Sequence, residues 1–196
     1  MQALALAPAA TELDELTLRR AQRGEERAWR ELIALYQDRV HALVWRLLAG
    51  RAQHRAPDLV QETFVRVVRA LPKFDPHGSA KLATWILTIA TRVALNELRR
   101  PDADPIAGEP IGHAESAEQS IERKRLGDAI AAGMAALDDE QRTILVLREY
   151  HELDYADIAT ALDVELGTVK SRLSRARAAL RSFLVTALPE LGARHE

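Results

Sequence analysis

A short apolar helical pattern, a tight turn and a strongly basic second helix follow one another in DYADIATALDV and ELGTVKSRLSRARAALR, from Asp154 to Arg181. Few folds accommodate that succession. Wound at 3.6 residues per turn, Val169, Leu173, Ala176 and Leu180 make one apolar stripe, while Ser171, Ser174, Arg175 and Ala178 point the opposite way, with Lys170 and Arg177 on the flanks. One face suits a core and the other suits DNA, which reads as the recognition half of a helix-turn-helix. Glu165 to Arg181 holds five basic residues and one acidic one, although the whole chain has a formal charge of −2. A local excess of that kind is a phosphate-binding footprint. Basic side chains near a helix end also complement the helix dipole, which is the plainer explanation of the same residues. At the turn, Asp163 stands where such units often have glycine, and aspartate tolerates a left-handed backbone.

The rest of the chain keeps the helical period. Aromatic residues are few and no window alternates as a strand does, so the expected class is all-α: two small helical domains joined by a flexible linker. Trp29, Leu32, Tyr36, Val40, Leu43 and Leu47 recur within about Glu25 to Leu48, with Gly50 as the expected stop. A second helix is expected from Pro57 and Asp58 to Leu71, with Val60, Phe64, Val67 and Leu71 inward, ended by Pro72. After the loop PKFDPHGS, a third runs from about Leu82 to Arg100; Leu82, Trp85, Ile89 and Val93 form one apolar side and Leu87, Ala94 and Leu98 another, with Thr88, Arg92 and Arg99 between. Three prolines and two glycines in Pro101 to Ser116 read as a linker. Beyond it, helices are expected over Ile121 to Ala136, Glu140 to Tyr150 and Tyr155 to Leu162, with Asp138 and Asp154 as N-caps. The resulting division is 1–100, a linker 101–120, a second domain 121–188 and a tail 189–196.

The absence of cysteine excludes disulfides, thiol catalysis and cysteine-ligated zinc, and fits a reducing cytoplasm. MQALALAPAA lacks the basic segment and length of a signal peptide, and no later run has membrane-spanning length. No HExxH, phosphate loop or clustered histidines assemble a catalytic constellation, so no enzyme activity, cofactor or metal is expected.

In this order, DLVQETFVRVVRAL (Asp58 to Leu71), KLATWILTIATRVALNELRR (Lys81 to Arg100) and LDDEQRTILVLREYHELDYADIATALDVELGTVKSRLSRAR (Leu137 to Arg177) resemble bacterial sigma factors of the extracytoplasmic-function type. The resemblance implies a cytoplasmic subunit that binds RNA polymerase core, directs it to promoter DNA and helps open the duplex. It implies core binding through Asp58, Gln61 and Glu62. It implies reading and melting of the minus ten element through Lys73, Phe74, His77, Lys81, Thr88, Arg92, Asn96 and Arg99, since a captured strand needs positive charge and a pocket for an unstacked base. Trp85, on the apolar stripe, reads as a packing residue. Arg92 stands where many relatives have asparagine, and Leu82 where they often have phenylalanine, so the identity of the captured base does not carry over.

For the minus thirty-five element, the resemblance implies contacts from Lys170, Ser171, Ser174 and Arg175, phosphate contacts from Arg172 and Arg177, and a capping or phosphate-binding Thr168. Many relatives are held by an anti-sigma factor, which makes such a protein an expected partner. Acidic Asp102, Asp104, Glu109 and Glu115 in the linker suit either nucleic-acid mimicry or a soluble spacer. The alternatives are a helix-turn-helix regulator, which would need a ligand pocket or dimer helix, and a sigma mimic that binds only an anti-sigma protein, which the retained Lys170, Arg172, Arg175 and Arg177 disfavour.

Overall fold

A computed structural model of the chain describes residues 12–49, 51–100 and 117–189, with side chains from 124 onward in the last segment. Residues 101–116 of the expected linker, with its acidic residues, Gly50 and nearly all of the tail lie outside these, whereas 117–120, also expected in the linker, are helical. Every regular element among the described residues is helical.

The first group comprises α1 (Glu15–Gln22), α2 (Glu26–Leu47), α3 (Ala56–Ala70) and α4 (Leu82–Leu98). Helix α2 carries its stripe as its period requires: Leu32, Tyr36, Val40, Leu43, Val44 and Leu47 are buried, each large side chain contributing roughly 1.5–3 kcal/mol of transfer free energy. The inward stripe of α3 is Leu59, Thr63, Phe64, Val67 and then Leu71; Val60 is only half-buried, so the helix is rotated from the expected setting. Thr63 enters the core because its hydroxyl donates to the Leu59 carbonyl at 2.7 Å, and Thr91 of α4 does the same to Leu87 at 2.8 Å.

Helix α1 has no counterpart in the sequence reading. At eight residues, with Thr17, Leu18 and Ala21 alone facing inward, it falls short of a recognisable periodic window. Asp14 caps it by accepting from the Thr17 amide at 3.0 Å, and Gly24, at φ 85°, allows the turn into α2. Its last residue, Gln22, donates from Nε2 to the carbonyls of Leu71 (3.1 Å) and Phe74 (2.7 Å), pinning the chain where α3 gives way to the next loop.

The second group comprises α5 (Ala117–Ala136), α6 (Asp139–Leu145), α7 (Tyr155–Leu162) and α8 (Leu166–Ala187). Helix α5 starts a turn earlier than expected, through a stretch of good helix formers. Asp138 and Asp154 cap α6 and α7 as expected, each accepting the amide three residues on at 2.7 Å. Helix α6 continues into a single π turn, Val146–Tyr150, rather than ending as one α-helix. Asp163 adopts φ 55° and ψ 52°, the left-handed turn expected between α7 and α8. Val169, Leu173 and Ala176 of α8 are buried, and α5 crosses α8 at Gly133, where a Cβ would lie 2.8 Å from Leu180 and 2.9 Å from Phe183.

The two groups pack on each other. Arg142 of α6 is buried and donates to Met134, Ala135 and Leu137 of its own group, and also to Leu47 at the end of α2 (3.2 Å). Arg51 bridges to Asp139 at 2.8 Å, and the Arg46 guanidinium lies 4.5 Å above the Tyr150 ring.

Candidate functional site

Three surfaces carry the residues singled out in the sequence. On α3, Asp58, Gln61 and Glu62 are exposed on the side away from Leu59 and Val67, with Glu62 paired to Arg66 at 2.5 Å and Asp58 within 3.7 Å of Arg55. The same side exposes Val65 (48%) and Val68 (41%). With Gln61 they fall at i, i+4 and i+7, an apolar centre inside a charged rim, which is the usual composition of a specific interface. The valines carry no charge signal in the sequence; their signal is a β-branched pair on the polar side of an amphipathic helix.

The second surface joins the loop before α4 to the polar stripe of that helix. Lys73, His77 and Lys81 are exposed, and Phe74 packs against Trp85 with ring centroids 5.0 Å apart. Trp85 therefore acts as a packing partner, and Phe74 is half-buried by it rather than free. His77 approaches Glu15 at 3.7 Å and Lys81 approaches Glu12 at 4.0 Å. Along α4, Thr88 donates to the Thr84 carbonyl at 2.9 Å, while Asn96 and Arg99 are exposed a turn or more beyond Arg92. Arg92 points to the other helical group: Nη2 donates to the carbonyl of Thr160 (3.0 Å) and Nε to that of Ala161 (3.5 Å). Thr84, which the sequence reading did not single out, lies on the same stripe and donates to Asp157 at 3.4 Å.

The third surface is α8. Lys170, Ser171, Ser174 and Arg175 are exposed opposite the buried Val169–Leu173–Ala176 stripe, and Thr168 is half-buried at the helix start, its carbonyl accepting from the Ser171 hydroxyl. Arg172 and Arg177 are held by carboxylates: Arg172 pairs with Glu140 at 3.2 Å, and Arg177 donates Nε and Nη2 to one oxygen of Glu149 at 3.0 and 2.6 Å. That hydrogen bond raises the Arg177 pKa above its ordinary value. These two arginines brace α8 against α6 and the π turn, and the unbraced cations on its outer face are Lys170 and Arg175.

Among the described residues no helix is long and apolar enough to cross a membrane.

The chain matches known proteins over most of its length. Residues 32–103 match sigma-70 region 2 and residues 127–180 match sigma-70 region 4. The chain is 36% identical over 192 residues to the RNA polymerase sigma-H factor of Pseudomonas aeruginosa, covering 91% of this chain and 97% of that one. It is 32% identical over 180 residues to the ECF RNA polymerase sigma-E factor of Escherichia coli, covering 85% and 92%. In fold it is similar to the sigma factor RpoE of Bartonella quintana, solved in complex with the anti-sigma factor NepR (TM-score 0.62, 23% identity, 79% of this chain and 95% of that one). It is likewise similar to CnrH, solved with the cytosolic domain of CnrY (TM-score 0.61, 24% identity, 88% and 97%). With both regions matched in order and curated relatives aligned over nearly their full length, the chain belongs to the sigma-70 family, as an RNA polymerase sigma factor of the extracytoplasmic-function type.

Proposed function

We propose that the chain works as a cytoplasmic, non-catalytic initiation subunit, with residues 1–100 binding polymerase core and reading the minus ten element, and residues 121–188 reading the minus thirty-five element. The observation that carries this reading is the outer face of α8, where Lys170, Ser171, Ser174 and Arg175 project from a helix whose other side is locked into the core. A helix held so presents its side chains to a major groove in one orientation. Arg172 and Arg177 reach phosphates only by exchanging their present carboxylate partners. The α3 face, with Gln61, Glu62, Val65 and Val68, suits the polymerase, and α4 with its preceding loop suits a single strand. An anti-sigma factor is the partner expected to control it, as NepR partners the structural relative RpoE.

The deciding experiment combines the purified protein with core polymerase and a promoter library. Specific initiation is expected; a helix-turn-helix regulator or a sigma mimic gives none. Within that assay, Gln61→Ala combined with Glu62→Lys is expected to weaken core binding about ten-fold or more while leaving the circular-dichroism melt unchanged. Unaltered affinity would remove α3 from the interface. Arg175→Ala is expected to change the selected minus thirty-five sequence at one position, at a cost of about 1–3 kcal/mol. Selection of the wild-type motif by that variant assigns Arg175 to the DNA backbone.

A further inference from the structure

The loop between α3 and α4 lies inside the sigma-70 region 2 match, residues 32–103, but a side chain that shapes it comes from α1, upstream of that match. Pro72 has no amide proton, and the carbonyls at the end of α3 lack partners inside the helix, so this turn is short of main-chain donors. Gln22 makes good the deficit. Its Nε2 carries two hydrogens and donates to the Leu71 carbonyl at 3.1 Å and to the Phe74 carbonyl at 2.7 Å. The Leu71 carbonyl also accepts from the Phe74 amide at 3.0 Å, so both its lone pairs are used. Only a donor serves here: a glutamate of the same shape would set a carboxylate against two carbonyls.

The turn so closed carries Lys73, which is exposed, and Phe74, which is half-buried. Phe74 is gripped from two helices at once, its ring by Trp85 of α4, with centroids 5.0 Å apart, and its carbonyl by α1. Glu15 and Glu12 also approach the loop, at 3.7 Å from His77 and 4.0 Å from Lys81, but these are exposed ion pairs and contribute little to its shape. The amide is the tie that fixes the backbone.

We propose that Gln22 is a positioning residue for capture of the minus ten strand, holding the backbone of Lys73 and Phe74 in one arrangement while touching no DNA itself. The proposal rests on the proposed role of this loop in strand capture. A loop already in its binding shape loses little entropy when the strand arrives, whereas a slack loop must be ordered at that moment and binds more weakly. A glutamine that merely held α1 on the fold would act on stability and polymerase binding. One that sets the loop acts on promoter opening and on the choice of minus ten sequence.

The test uses holoenzyme assembled from core polymerase and the full chain, on promoters with a fixed minus thirty-five element and a randomised minus ten element. Gln22→Met keeps the length of the side chain and removes both donors, and Gln22→Lys restores donors. The methionine variant is expected to open the promoter that wild type selects about ten-fold more slowly and to select a less defined minus ten sequence, with core affinity within about two-fold of wild type. The lysine variant is expected to recover most of the opening rate. Wild-type opening and wild-type sequence preference by Gln22→Met, while Phe74→Ala opens slowly, would overturn the positioning role and leave the loop reading intact. Wild-type opening by Phe74→Ala and Lys73→Ala as well removes the loop from strand capture, and the proposal with it. Loss of core binding in both Gln22 variants assigns the glutamine to the folding of α1 and likewise overturns the proposal.

Discussion

Replacing Arg142 with methionine is expected to lower the unfolding free energy by about 3–5 kcal/mol, read as a shifted urea midpoint at an unchanged slope. The side chain is 3% exposed, and its guanidinium donates to four carbonyls, those of Met134, Ala135, Leu137 and Leu47, and to Asp139. Methionine fills a comparable volume, so the loss comes from stranded acceptors rather than from a cavity. A buried acceptor deprived of its donor costs about 1–3 kcal/mol, and because relaxation rescues part of several such losses, the total stays below their sum. Burial lowers the Arg142 pKa while the neighbouring Asp139 raises it, and the guanidinium stays charged throughout the working range. Lysine at this position cannot serve the same set of carbonyls, having three donors without the planar fork. A midpoint within experimental error of wild type for Arg142→Met would show that these carbonyls find other donors.

Acidification is expected to destabilise the chain by about 2 kcal/mol between pH 8 and pH 5 through His151 alone. The imidazole is buried against α2, its Nε2 has no hydrogen-bond partner, and burial followed by the Arg46 and Arg39 charges depresses its pKa to about 3. Above pH 6.5 the ring is neutral both folded and unfolded and contributes no pH dependence. As the pH falls below 6.5 the unfolded chain takes up a proton that the folded chain refuses, so stability declines steadily until the pH approaches 3. His151→Phe is expected to flatten the stability profile over pH 8 to 5, since phenylalanine keeps the packing and removes both the titration and the orphaned nitrogen. A wild-type profile already flat over that interval would place the ring in contact with solvent.

How much of this was legible in the sequence depends on how local the responsible interaction is. Asp138, Asp154 and Asp163 act within three residues of themselves, and each takes the capping or turn role that its type and position suggested. The basic face of α8 was legible for the same reason, as one helix with one period. The rotation of α3 is not legible, because Leu59 and Val60 are both apolar and periodicity alone does not choose between them. Helix α1 was lost in a window too short for a period. Pairing across the chain was not legible at all: Arg172 and Arg177 looked like free cations, yet their carboxylates lie 32 and 28 positions away. Arg92 likewise looked like a departure from its relatives, and only the packing of α7 on α4 shows what the longer side chain can reach.

The amide of Gln22 has a practical bearing on re-engineering. The segment from Leu71 to Phe74 takes its shape from an α1 side chain some fifty positions upstream, which holds both ends of that turn at once. A chimera that imports a foreign Pro72–Lys81 loop keeps this tie, because its donor stays on α1 and its acceptors are main-chain carbonyls that any loop sequence supplies. Swapping α1 without its glutamine is the change that releases the turn, so loop grafts should leave Gln22 in place.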